Sequence, residues 1–187
     1  ALRISRRYYL FHHYTGADCP AEMGIEKIRS LCIRKETPHD RKTEKSSRLD
    51  PFNSRSTGYD VSFYLTSSEE KAGELLKLQL HAAKAYGAVI CDTIPDGEYD
   101  IIVDALFGIG LCRPAEGIYR EAIEWINAQD AFVLAVDLPS GIETDTGAVL
   151  GCAVRADVTV TFGFWKRGLL FYPGCKYTGK VICTQIG

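Results

Sequence analysis

From Gly58 onward, short runs of apolar and β-branched residues alternate with longer stretches whose apolar positions recur every three or four residues. The first pattern predicts strands and the second predicts amphipathic helices. "YDVSFYL" (59–65) is aromatic and β-branched, a strand signal. "SSEEKAGELLKLQLHAAKAYG" (67–87) predicts a helix opened by a Ser67-x-x-Glu70 capping box and stopped at Gly87. "AVIC" (88–91) is a short strand, and "YDIIVDAL" (99–106) reads as a buried one because it is almost continuously apolar. "EGIYREAIEWINAQ" (116–129) places Ile118, Ala122, Ile123 and Ile126 on one helical face. "AFVLAVD" (131–137) is a second buried strand. "ADVTVTFG" (156–163), with its alternation, and "GKVICTQIG" (179–187) predict two more. Strand, helix and strand in repetition imply an α/β fold: a mainly parallel sheet covered by helices and wired by right-handed crossovers.

Residues 1–57 have a different texture. Between Lys35 and Thr57 the only large apolar residues are Leu49 and Phe52. Such a stretch cannot offset the entropy of ordering by burial, so it is expected to be poorly ordered, with a weak helix at 20–33. The domain organisation expected is an atypical segment over 1–57 and one compact unit over 58–187.

Charge sharpens that boundary. The 187 residues carry a net charge of -2, but 1–57 hold 12 Lys+Arg against 7 Asp+Glu, and 58–187 hold 10 against 17. The basic part has no dense Lys/Arg run, which argues against a nucleic-acid partner. Seven scattered cysteines with no C-x-x-C spacing argue against a zinc site and for a reducing, cytoplasmic location. No apolar run approaches the length of a membrane span, and the start of the chain resembles neither a signal peptide nor an anchor.

Two carboxylates draw the eye. Asp104 lies near the end of one buried strand and Asp137 ends the next, with one amphipathic helix between them. A βαβ unit of that kind brings both strand ends to the same edge of the sheet, where open α/β sheets bind ligands. Close carboxylates in a dry crevice repel, so either a cation sits between them or one keeps a proton. Ser140 of "DLPSG" adds a hydroxyl and a carbonyl for a hard cation. The plainer alternative is that each aspartate only caps a turn or the next helix. "GIGLCRP" (108–114) follows Asp104; its glycines let backbone N–H groups approach a phosphate at a helix start, and Arg113 adds a charge, although a simple turn reads equally well.

Other chemistries fit poorly. Ser140 lacks the first glycine of G-x-S-x-G, and the four histidines (His12, His13, His39, His81) all precede it, against the order of that hydrolase fold. There is no Walker A sequence. "TFGFWKRGLLFYPG" (161–174) interleaves aromatic and basic residues, as in base-stacking surfaces; the simpler expectation is that its aromatics pack the sheet's edge.

"VDALFGIGL.RP", "AVDLPSGI..DTG" and "A.RADVTVTFG..K.GLL..PG....G.V....IG", in that order, resemble the YjeF N-terminal family, the NAD(P)H-hydrate epimerases. The resemblance covers about Gly58 to Gly187. It implies a Rossmann-like three-layer α/β/α sandwich. It also implies epimerisation of the R and S forms of hydrated NADH or NADPH (NADHX, NADPHX), so that an ADP-dependent dehydratase, fused or separate, can restore both. It implies a potassium ion with Asp104 and Ser140 as ligands. The substrate-contacting loop would be Gly108, Ile109, Gly110, Leu111, Cys112, Arg113 and Pro114, and Asp137 the substrate-binding and catalytic carboxylate. A second copy of the chain is a candidate partner; a membrane is not.

One departure stands out. The family carries a "GNNGGDG"-like loop before the strand placed here at Tyr59, yet no glycine occurs from Ile25 to Thr57 and the only asparagine there is Asn53. Loss of that loop removes phosphate-binding donors and one potassium ligand, so impaired binding is expected. Two other functions compete: a non-catalytic module of this fold that recognises RNA or protein, and an inactive fragment.

Overall fold

The computed structural model describes residues 31–35, 59–85 and 87–185. Seven strands form one sheet: β1 (Leu31–Lys35), β2 (Tyr59–Tyr64), β3 (Val89–Cys91), β4 (Ile101–Asp104), β5 (Phe132–Val136), β6 (Val158–Phe162) and β7 (Lys180–Thr184), in the order β3-β2-β1-β4-β5-β6-β7. Among the described residues two α-helices accompany it, α1 (Glu74–Ala85) and α2 (Ile118–Ala128). The pairs β2–β3, β4–β5, β5–β6 and β6–β7 are parallel. β1 pairs antiparallel with both β2 and β4, so the other six strands share one direction. This is the expected α/β, Rossmann-like architecture.

β1 lies where a helix was expected. Residues 31–33, the end of the helix read over 20–33, are strand, with Cys32 opposite Ser62 on one side and Ile102 on the other. The physical reason is the slot itself. Without β1, β2 and β4 would each present an unpaired backbone edge, and five extended residues satisfy both. The rest of that helix, and the remaining residues of the 1–57 segment expected to be poorly ordered, lie outside the described residues.

The capping box at Ser67 does not form. Residues Glu69–Lys71 make a 3₁₀ turn whose N-cap, Ser68, gives no side-chain bond, and α1 begins at Glu74. Glu69 instead accepts from Lys84, at the far end of α1, at 2.6 and 2.8 Å. The stop at Gly87 does form: Gly87 adopts φ 84, its N–H donates to Lys84 O (2.9 Å), and Ala88 N–H donates to Ala83 O (3.1 Å). That is the paired bonding of a Schellman cap.

Three apolar clusters hold the sheet. α2 puts Ala122, Ile123 and Ile126 against Ile102 and Leu106 from the β4 side and Val133 of β5. Ile118, expected on this face, is 44% exposed, because it begins the helix beyond the edge of the packed surface. α1 buries Leu76 and Leu80 with Leu65 and Ala72. Leu138, Ile142, Ala153 and Leu169 form the third cluster, in the loops beyond β5 and β6. β6 departs from its expected alternation: Thr159, Val160 and Thr161 are all buried. The threonines tolerate this because each hydroxyl has a partner, Thr178 O for Thr159 and Asp137 for Thr161.

Candidate functional site

β4 and β5 are adjacent and parallel, with Asp104 opposite Ala135, so Asp104 and Asp137 lie at the same, carboxyl-terminal edge of the sheet. Each aspartate is buried, and each is held differently.

Asp104 is fully enclosed (0% exposed). Its Oδ2 accepts from Ser140 N–H (2.7 Å), and its Oδ1 from the Ser140 hydroxyl (2.6 Å) and Leu106 N–H (3.2 Å). The Ser140 oxygen in turn accepts from Phe107 N–H (2.8 Å). These bonds tie the loop after β4 to the loop after β5, joining the first apolar cluster to the third. Burial drives the Asp104 carboxyl up to about 6, and the Ser140 and Leu106 bonds only partly oppose it. The cause is therefore desolvation, not repulsion by Asp137 as the sequence suggested. Ser140 is fixed by its neighbour: at Gly141 (φ 97) an added Cβ would run into the Cys152 carbonyl, so only glycine fits.

Asp137 sits in a strained turn. Its φ is 73, the one positive value at a non-glycine position among the described residues. Leu138 N–H donates across it to Val136 O (3.0 Å), and its own N–H donates to Val160 O (2.8 Å). A three-residue turn with positive φ at its centre is rare and costly, and such strain gathers at functional positions. The side chain is anchored through one oxygen. Thr161 Oγ1 (3.2 Å), Phe162 N–H (3.3 Å) and the Lys166 ammonium all donate to Oδ1. Lys166 Nζ also donates to Thr161 Oγ1 (2.9 Å) and Phe162 O (2.7 Å), which uses all three of its N–H groups. Oδ2 has no donor among the described residues.

The loop over Gly108–Pro114 emerges beside this edge. Gly110 takes φ 99 with open space where a Cβ would be, and Cys112, Arg113 and Pro114 are exposed. Among the described residues nothing accepts the N–H groups of Gly108, Ile109, Gly110 or Leu111, so a ligand's oxygens can. The loop does not open α2 directly: residues 115–117 intervene, and Ala115 is buried with its N–H on Leu150 O (3.0 Å). The helix N-terminus therefore adds less to this loop than its sequence position suggested.

A cation fits the Asp104–Ser140 pair in kind. Both offer hard oxygens, and among the described residues Asp104 has no ion pair, whereas Asp137 has Lys166. Two side-chain oxygens are fewer than the six to eight that a hard cation of calcium's kind collects. No group of three or more His, Cys, Asp or Glu side chains among the described residues is placed to hold a metal ion.

Sequence reasoning missed Lys166 and Thr161. Lys166 stood in the quoted "TFG..K.GLL" pattern, and a lysine four residues beyond a buried strand end was the available signal. The same segment corrects another expectation. Of its aromatics only Phe162, half-buried in β6, belongs to the sheet; Phe164 is 85% and Trp165 50% exposed, and Phe171 and Tyr172 are exposed as well.

A nearly parallel sheet with buried carboxylates at the carboxyl ends of neighbouring strands defines a Rossmann-like α/β protein, a class that binds its ligands at that edge. Within that class the chain belongs to the family described as YjeF-related protein N-terminus, whose sequence model matches residues 55–168. It is 42% identical to the bifunctional NAD(P)H-hydrate repair enzyme Nnr of Thermofilum pendens, over 70% of this chain and 27% of that protein. It is 58% identical to the NAD(P)H-hydrate epimerase of Limosilactobacillus fermentum, over 46% of this chain and 41% of that protein. With the NAD(P)H-hydrate epimerase of Levilactobacillus brevis it shares 43% identity, over 70% of this chain and 61% of that protein. The chain thus spans between about a quarter and three-fifths of the length of these relatives. Among the described residues, no helix is long and apolar enough to cross a membrane.

Proposed function

We propose that this chain interconverts the R and S epimers of NADHX and NADPHX, through a unit spanning residues 58–187. The observation that carries the reading is Asp137: a strained, buried carboxylate fixed through Oδ1 by Lys166, Thr161 and Phe162, with no donor to Oδ2 among the described residues. Inversion at C6 of the hydrated ring requires the C6–O bond to break and re-form. The lone pair of the reduced ring nitrogen forms the C=N bond as the hydroxyl leaves with a proton as water. Water then re-adds to the other face and gives up a proton. Asp137 Oδ2 shuttles that proton, and Lys166 holds the carboxylate in place. The open N–H groups of Gly108–Leu111 and the Arg113 side chain take the substrate's phosphates.

Asp104 and Ser140 would hold potassium, which when bound supplies a fixed positive charge beside the substrate. The missing Gly/Asn-rich loop weakens binding and does not change the chemistry. The five described free cysteines (Cys91, Cys112, Cys152, Cys175, Cys183) suit a reducing, cytoplasmic compartment. A stereospecific ADP-dependent dehydratase, fused or separate, would consume one epimer, and a second copy of the chain would be the other protein partner.

The test is R/S exchange followed by chromatography on a hydrate mixture made from reduced cofactor in mild acid. Asp137→Asn is expected to abolish exchange, and Lys166→Met to lower it by roughly 10²- to 10⁴-fold, the usual worth of a positioned acid–base system, with both variants folded by circular dichroism. Undiminished exchange in Asp137→Asn removes Asp137 from the chemistry.

A further inference from the structure

Phe164 and Trp165 are large apolar side chains left in solvent, and the turn that displays them also builds the Asp137 site. Phe162 N–H donates to Asp137 Oδ1, and Phe162 O accepts from Lys166. Gly163, with φ 71, then turns the chain, closed by Gly163 N–H on Thr184 O (2.8 Å) and Phe164 N–H on Phe162 O (2.8 Å). Both ends of the 162–166 turn are therefore pinned to Asp137, and its tip carries two aromatic rings. The Trp165 Cα is about 3.8 Å from that of Lys166, and the Phe164 Cα at most about 7.6 Å away, so the backbone that carries both rings borders the residues that hold Asp137.

The other exposed rings in this segment are already engaged. Arg167 lies 5.3 Å from the centre of the Phe171 ring, and Lys176 lies 4.9 Å from that of Tyr172. Phe164 and Trp165 have no ring or cation partner among the described residues. Open aromatic faces on a turn whose backbone is pinned beside the proposed site suit a planar base, because every base offers a π-face.

Resting on the epimerase reading, we propose that Phe164 and Trp165 are a stacking platform for a planar ring of the substrate dinucleotide.

The test is tryptophan fluorescence of the full chain in a Trp125→Phe background. Trp125, on α2, is half-buried and edge-on to Tyr99, and its replacement leaves Trp165 as the sole tryptophan, excited selectively at the red edge of the absorption band. NAD⁺ is expected to quench Trp165 saturably; AMP and nicotinamide mononucleotide, titrated separately, show which ring is stacked. Phe164→Ala is expected to weaken that binding about tenfold. In the exchange assay, Phe164→Ala and Trp165→Ala are expected to raise KM by a similar factor with kcat unchanged. Saturable quenching without epimerase activity removes the enzyme reading and leaves the platform standing. Active enzyme with unchanged KM in both variants overturns the platform. So does fluorescence that responds to none of the three nucleotides, only to an RNA oligonucleotide, or only to self-association of the chain.

Discussion

At the scale of single residues, the two aspartates show how one residue type takes on different properties at neighbouring strand ends. Asp137 is neutralised locally by Lys166, and Asp104 only by neutral donors. Asp104 therefore links protonation to stability. In the unfolded chain it loses its proton near pH 3.9; in the native chain it does so at about 6. Between those values the native state binds more protons than the unfolded one, so stability falls as pH rises, by roughly 3 kcal/mol in all. Thermal melting from pH 4 to pH 8 is expected to show that fall, and Asp104→Asn to remove it. A cation beside Asp104 favours the carboxylate. Potassium chloride should therefore raise the melting temperature at pH 8 relative to choline chloride in the parent chain and not in Asp104→Asn.

At the scale of elements, α2 and β1 teach opposite lessons. The helical period of α2 was plain in the sequence, and packing chose which part of the stripe it uses. Ile123→Ala is expected to cost about 2–5 kcal/mol by opening a cavity in the first cluster, while Ile118→Ala stays within about 0.5 kcal/mol; denaturant melts of the two variants check the contrast. β1 could not be read locally, since its five residues are set by the edges of β2 and β4. Ile33→Pro removes a backbone donor from the middle of the sheet. A lowering of the melting temperature by roughly 3–10 °C is expected, the equivalent of one unsatisfied buried group. A melt indistinguishable from the parent would take β1 out of the native sheet.

At the scale of the whole molecule, the site is assembled from β4, β5 and β6 and the loops beyond them, all within residues 101–166. The family model matches residues 55–168, and Asp104, Asp137, Ser140 and Lys166 all lie within that stretch. The expected loss of the Gly/Asn-rich loop should appear in binding. Measured side by side with the Levilactobacillus brevis relative, this chain is expected to show a KM for NADPHX at least about tenfold higher, the equivalent of one lost charge-assisted contact to phosphate. Equal KM values would show that the loop is dispensable.

What the sequence by itself determined is periodic or local. The strands and helices from Gly58 onward, the stop at Gly87 and the meeting of Asp104 and Asp137 at one edge follow from hydrophobic spacing and the βαβ rule, which act within a few tens of residues. What only the tertiary structure decided depends on contacts distant in the chain. The filling of the central slot by β1, the pairing of Lys166 with Asp137 across 29 positions, and the burial that raises Asp104 are of this kind. Solvent exclusion and charge pairing are properties of a neighbourhood in space, and no spacing along the chain encodes them.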